Sequence, residues 1–446
     1  MSRYRDWAIN QPLLLPPSVT EFVPPDHLCL FVRDLAREVL DLTAIERTYS
    51  RDPRGLPPYH PAMLVALLLY AYTQGIYSSR RIARACEERV DFMALTAMQR
   101  PDFRTISDFR KKHLAALSGL FVQVLALCRD AGIVKLGHVA LDGTKVPANA
   151  SKHKAMSYKR MKELEPKLAA EVAQWLERSQ ATDAAEDDEH GPDRRGDELP
   201  PHALSKIRKL KQLRESMARL EEEAQAQAER VAAERAEKEA ARGKRLTGAE
   251  PKSLDGEPKD KAQSNFTDPD SRILRRGNTY VQGYNGQAAV DAGSQVIVAH
   301  SLGNQQNDVH ELVPLVDQIE ELLGVLPAEL SADSNYCSES NLEALAERGV
   351  RGYLATGRQK HGTRSPTSGD KKGSGTRVQE MRLRLKRAGH RSRYRLRKQV
   401  VEPVFGHIKE ARGFRRFMLR GIDQVRAEWS MLCTAHNLLK LAAART

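Results

Sequence analysis

More than a hundred charge-laced residues, 152–262, separate two stretches that read as strands, and any fold for this chain must accommodate them. Before the gap, the apolar, β-branched run at 139–141 in IVKLGHVALDGTKV suggests a buried strand ending at Asp142 and Gly143. After the gap, strand-like sequence resumes at once. Within it, helical segments at about 155–178 and 203–242 flank an acidic stretch containing Gly and Pro at 183–201, and 243–264 reads as a linker. The second segment is dominated by Ala, Glu, Lys, Arg and Gln, the composition of a long exposed helix or an antiparallel hairpin. The gap is therefore read as an insertion, 152–264, into a domain that continues on both sides. A projecting hairpin that pairs two copies and a solvated arm both fit. Apolar residues are too sparse after Leu220 for a continuous coiled-coil seam.

Downstream, the pattern alternates between strand and helix. Strands are expected at 279–291, 295–302, 329–333 and 350–355, and helices at 309–324, 338–348, 378–410 and 422–444. Gly- and Ser-rich residues 357–376 read as a loop. Upstream, residues 1–132 read as a helical domain. Helices are expected from Leu28 onward, at 62–74, at 79–88 and at 91–98. A capping box from Thr105 to Asp108 would open a helix running toward Cys128. A helix-turn-helix-like DNA contact and an ordinary packing domain describe this region equally well. The segments 133–151 and 265–446 together form one α/β domain around the insertion.

Charge narrows the partner. The formal net charge is +13, yet residues 351–420 alone hold 21 Lys and Arg against 4 Asp and Glu. Such a local excess favours a polyanion, through phosphate attraction and counterion release. Five scattered cysteines without a CxxC pair argue against a disulfide scaffold or a zinc ribbon. No apolar run reaches the ~18–20 residues of a membrane span, and no leader peptide is read at the start, so an intracellular, soluble protein is expected.

Three carboxylates stand out. Asp142 and Asp333 lie at the ends of expected strands, where open α/β folds place catalytic groups, although a strand-end Asp is more commonly a turn residue. Glu402, in QVVEPVFGHIKEARGFRRF, is nearly alone in the basic region, where a salt bridge would also account for it. Three acids on separate elements suit a pair of Mg²⁺ ions engaged in phosphodiester chemistry, and hard oxygen ligands favour Mg²⁺, with Mn²⁺ able to substitute. Lys409, seven residues beyond Glu402 and two helical turns on, could hold a phosphate beside them. His300, His310 and His407 match no metal-binding spacing. ALDGTK is similar to phosphatase and nucleotidyltransferase motifs, but Ala140 stands where their essential residue would be, and no P-loop pattern occurs.

These residues together resemble the DDE transposases of bacterial insertion sequences. PPYHPAMLVALLLYAYTQGIYSSRRIARAC and PDFRTISDFRKKH resemble the helical domain of that group, and YRLRKQVVEPVFGHIKEARGFRRFMLRG resembles its Tyr-Arg-Glu-Lys signature. The resemblance implies an RNase H-like core, a mixed sheet flanked by helices. It implies two metal ions held by Asp142 on the first strand, Asp333 on the fourth and Glu402 on a later helix. It also implies DNA contacts from Tyr394, Arg397 and Lys409, with Lys398, Arg415 and Arg416 alongside. The expected partners are the element's terminal inverted repeats, target DNA and a second copy of the chain, in the bacterial cytoplasm at the nucleoid. Four residues, not three, separate Arg397 from Glu402, so Arg397 and Lys398 both qualify for the arginine position. Asn335 replaces an expected Gly and is expected to adopt its left-handed backbone. The implied activity is cleavage and strand transfer. A nuclease without strand transfer and a DNA-binding protein with a decayed core are the alternatives.

Overall fold

The computed structural model describes residues 18–49, 57–190, 201–243, 256–357, 376–388 and 393–445. Most of the expected 357–376 loop and most of the acidic stretch's Gly/Pro part fall outside these residues. The chain begins with helices α1 (Leu28–Glu38), α2 (Thr43–Glu46), α3 (Pro61–Thr73), α4 (Ser79–Glu88), α5 (Val90–Thr96), α6 (Phe103–Lys112) and α7 (Leu114–Asp130). α3 is apolar on every side because it is buried on every side, from Leu64 through Tyr72. Its start is set by Pro61 at the first turn and by His60, whose Nδ1 accepts the Ala62 N–H at 3.2 Å.

The expected capping box is not formed. α6 starts three residues earlier, at Phe103, because Asp102 and not Thr105 is the cap, its carboxylate accepting the Arg104 N–H at 2.7 Å. Nor does the helix run unbroken to Cys128. It stops at His113, and α7 leaves at 76°. Just before the break Arg110 is buried, and its guanidinium donates to Tyr72 Oη at 3.2 Å and to the Tyr77 carbonyl at 3.0 Å, fixing α6 against the turn after α3.

The strands are β1 (Val139–Pro147), β2 (Ala155–Ser157), β3 (Gln263–Asn265), β4 (Arg272–Arg276), β5 (Thr279–Asp291), β6 (Ile297–Gly303), β7 (Glu329–Ala332) and β8 (Arg351–Leu354). Six form one mixed sheet in the order β4-β5-β1-β7-β8, with β6 also on β5. β1 runs antiparallel to β5, Asp142 opposite Ala288, and parallel to β7, Val139 opposite Leu330; β7 and β8 are parallel. β1 does not end at Asp142 and Gly143 as expected. It continues to Pro147 because β5 supplies partners along its whole length. Short β2 and β3, absent from the sequence reading, pair with Ala155 opposite Asn265 and close the base of the insertion. Beyond that base run α8 (Tyr158–His190) and α9 (Pro201–Arg242), which pack on each other around Met161, Leu168, Leu210, Leu213 and Leu220.

The remaining helices are α10 (Leu312–Leu323), α11 (Glu339–Glu347), α12 (Arg377–Ala388), α13 (Leu396–Gly406) and α14 (Ile422–Ala443). α13 lies on β1, while α11 and α12 cover β8. α14 packs at once on α3, α7 and β6, so the N-terminal helices and the sheet share one hydrophobic core. Among the described residues no single helix is long and apolar enough to cross a membrane.

Candidate active site

β7 ends at Ala332, opposite Leu141 of its parallel neighbour β1, so the next residues of the two, Asp333 and Asp142, come side by side while β1 runs on to Pro147. Asp142 is held in the strand and its Oδ1 accepts the Gly143 N–H at 2.9 Å. Burial pushes its carboxyl up to about 6; the negative charges of Asp333 and Asp308 add to this, and Arg397 opposes it. Asp333 begins a short 3₁₀ turn and accepts the Asn335 N–H at 2.8 Å. Its carboxyl is also raised, chiefly by burial.

α13 approaches from the other side. The Arg397 guanidinium meets Asp142 Oδ2 at 2.6 Å and Glu402 Oε1 at 3.9 Å, so one cation links the strand carboxylate to the helix carboxylate. Burial works against that charge, but Asp142, Tyr394 and Asp333 hold the guanidinium above its ordinary range. Arg397 also lies over the Tyr394 ring, 6.0 Å from its centroid. Of the two candidates for the arginine position, Arg397 is turned in to the carboxylates and Lys398 is exposed. Glu402 is about half exposed. Among the described residues no three His, Cys, Asp or Glu side chains gather closely enough to hold an ion, so the structure brings Asp142 and Asp333 together and joins Glu402 to them through Arg397.

Although the three do not gather as a formed site, their donor chemistry suits a hard divalent cation. All three groups are carboxylates, two of them are desolvated and repel each other, and Arg397 already places positive charge between Asp142 and Glu402.

Lys409 does not follow Glu402 on one helical face. α13 gives way to a π-helical turn, His407–Ala411, which shifts the phase. The Lys409 ammonium donates to Thr144 Oγ1 and, at 3.5 Å, to the Lys145 carbonyl. Burial, with Arg276 and Arg415 adding repulsion, draws it down to about 8. Arg415 pairs with Glu410, and Arg415 and Arg416 are exposed between buried Phe414 and Phe417. Of the three histidines, His300 is edge-on to Phe121 at 4.4 Å and His407 faces His436 at 5.9 Å, while none of the three joins a metal-binding group.

The expectation for Asn335 fails. It lies in the 3₁₀ turn and is absent from the positive-φ positions; its side chain matters instead, donating at 3.3 Å to both Asp333 Oδ2 and Asp308 Oδ2. Asp308 was missed in the sequence. It is buried and accepts from Lys145 at 3.0 Å, Asn285 at 2.5 Å and Gln287 at 2.7 Å. Gln287 also accepts from the buried Tyr336 hydroxyl. One signal was available: Asn285 and Gln287 interrupt an apolar strand, and buried amides need partners. Gly143 is required here, because a Cβ would lie 2.7 Å from Gln287 Nε2 and 3.1 Å from Asp308 Oδ1.

Comparison with known proteins finds two family matches in the chain. Residues 17–112 match the model described as "Transposase domain (DUF772)", and residues 259–438, with Asp333, Glu402 and Lys409, match "Transposase DDE domain". Asp142 lies between the two matches. The chain belongs to the DDE transposases. It is 34% identical over 79 residues to a putative transposase for insertion sequence element IS402 from Burkholderia cepacia. That match covers 16% of this chain and 37% of the relative, so the chain spans little more than a third of the relative's length. No solved structure matches.

Proposed function

We propose that the protein cuts DNA at the ends of its insertion sequence and joins the freed 3′-hydroxyl to target DNA. The observation that carries this reading is the pair of half-buried carboxylates, Asp142 within β1 and Asp333 just past the end of its parallel neighbour β7, facing a helix that supplies Arg397 and Glu402. The strand order supports an RNase H-like core: the strand bearing Asp142 pairs antiparallel with β5 and parallel with β7, and β8 follows.

Asp142, Asp333 and Glu402 would hold two Mg²⁺ ions, or Mn²⁺ in their place, and the chemistry supplied would be activation of the attacking oxygen and stabilisation of the leaving one. Arg397 neutralises Asp142 and would contact a DNA phosphate in the bound complex. Lys409, crowded by Arg276 and Arg415, gains from a phosphate that relieves this repulsion. Lys398, Arg415 and Arg416 extend the phosphate track, with Tyr394 under Arg397. The partners are the terminal inverted repeats, target DNA and a second copy of the chain that brings two ends together, in the bacterial cytoplasm at the nucleoid.

A supercoiled plasmid carrying the element's ends, incubated with Mg²⁺, tests the reading. Joined products are expected. Nicks alone would assign a nuclease, binding alone a decayed core, and activity in excess chelator would overturn the metal chemistry. Affinity should fall steeply with salt, with a slope of about −0.9 per phosphate contacted.

A further inference from the structure

Asp308 is the most heavily bonded side chain beside the site, and its chemistry argues against metal binding. Its Oδ1 accepts from the Lys145 ammonium, the Asn285 amide and the Gln287 amide, and its Oδ2 accepts from Asn335 at 3.3 Å. Both oxygens are occupied, and Lys145 cancels the charge within a pocket where neither side chain is more than 11% exposed. A buried carboxylate saturated in this way does not release its donors to an ion; it fixes whatever those donors also touch.

Two of its donors lead back to the site. The Asn335 amide divides its protons between Asp308 Oδ2 and Asp333 Oδ2, at 3.3 Å each. Lys145 offers its own carbonyl to Lys409 at 3.5 Å and follows Thr144, which takes the other Lys409 bond. β5, through Asn285 and Gln287, anchors Asp308 in the sheet.

We infer that Asp308, acting through Asn335, is the positioning residue that aims the Asp333 carboxylate at its cation, a role that rests on the metal-dependent reading above. Without this brace Asp333 keeps only the Asn335 backbone N–H on its Oδ1, and its other oxygen is free to turn away.

Binding of Mn²⁺ to the full-length protein, followed by electron paramagnetic resonance without DNA, tests this apart from activity. Asn335→Ala is the main variant, because its side chain is exposed and the melting temperature should match that of the unmodified protein. It should bind Mn²⁺ roughly 10- to 100-fold more weakly, the usual effect of losing a partner behind a ligand. Asp308→Asn should weaken binding similarly wherever it folds, and Asn335→Ser, which keeps a shorter donor, should recover part of the loss. Asp142→Ala is the reference. If the unmodified protein and Asp142→Ala bind Mn²⁺ alike, the metal reading falls and this inference with it. If they differ but Asn335→Ala matches the unmodified protein, the positioning role alone is overturned.

Discussion

α14 and α9 are both long helices, and they lie in opposite environments. α14 is buried nearly throughout, and it takes polar groups inward with it: Glu428 accepts the Met418 and Leu419 N–H groups at 3.0 Å, and Asn437 bonds both polar groups of the Ile297 backbone at 2.8 Å. α9 buries a single stripe, Leu210, Leu213 and Leu220, against α8. A helix enclosed on all sides needs a partner for each polar atom, whereas a helix in a two-helix arm needs one apolar seam and solvent does the rest. The sheet body is therefore expected to carry both stability and chemistry, with the α8–α9 arm separable from each.

The largest expected effect tests that separation directly. Asp142→Ala or Asp333→Ala should reduce plasmid cleavage by on the order of 10²- to 10³-fold or more while leaving DNA binding largely intact. Replacing 160–258 by a short Gly/Ser linker should leave nicking close to normal, since β2 and β3 already bring the two ends of the insertion together. A deletion that fails to fold would show that the arm belongs to the body.

Stability should divide along the same line. Trp429→Ala removes a fully buried ring that also bonds the Gln287 carbonyl at 3.1 Å, and should cost about 3–5 kcal/mol, lowering the main thermal transition. Leu213→Ala should speed proteolysis within the arm and leave that transition in place, as measured by calorimetry and limited digestion. A main transition lowered equally by both would remove the distinction between arm and body.

The body was largely legible in the sequence, and the reason is periodicity. The expected strand at 279–291 and helix at 79–88 are found at those limits, because long runs against a buried face leave a clear signal. Three-residue β2 and β3 carry too little pattern to be read, and β4 is masked by its arginines. At the site, Asp142 and Asp333 stood out as acids beside expected strands, although Asp142 proves to lie within β1 and not at its end. Asp308 did not stand out, since an Asp before a helix reads as a cap, and its role comes from Asn285, Lys145 and Asn335, which are distant in sequence. Asn335 was visible only as a departure from Gly, and backbone conformation was the wrong property to ask of it.

Acid should act on the body through its buried histidines. His436 lies against the Gln295 carbonyl at 2.8 Å, and burial, with Arg412 adding, depresses it to about 3; burial alone takes His300 to about 4. Both values lie below the ~6.5 of an unfolded chain, so the unfolded state binds more protons. Their stabilisation is complete above about pH 6.5 and is lost as pH falls, at up to ~1.4 kcal/mol per unit for each group. Asp142, raised to about 6, offsets part of this below pH 6. Denaturant midpoints from pH 7 to 4.5 should fall, and His436→Gln, which keeps a donor for Gln295, should flatten the curve.

The smallest expected effect lies where arm meets body. Arg219 on α9 reaches Asp270 at 3.5 Å, with the arginine side chain about half exposed. An ion pair so open to water is worth at most about 0.2–1 kcal/mol, and salt screens it further. Arg219→Ala should therefore leave the main transition within about a degree of its original position. Asp270 keeps a separate role, since its Oδ2 accepts the Ile422 N–H at the start of α14 at 2.9 Å. Asp270→Ala should consequently cost more than Arg219→Ala, and a double-mutant cycle between them should give a coupling near zero. A coupling above about 1 kcal/mol would mean that the arm is latched to the first turn of α14, and its motions would then reach the buried helix on which the sheet packs.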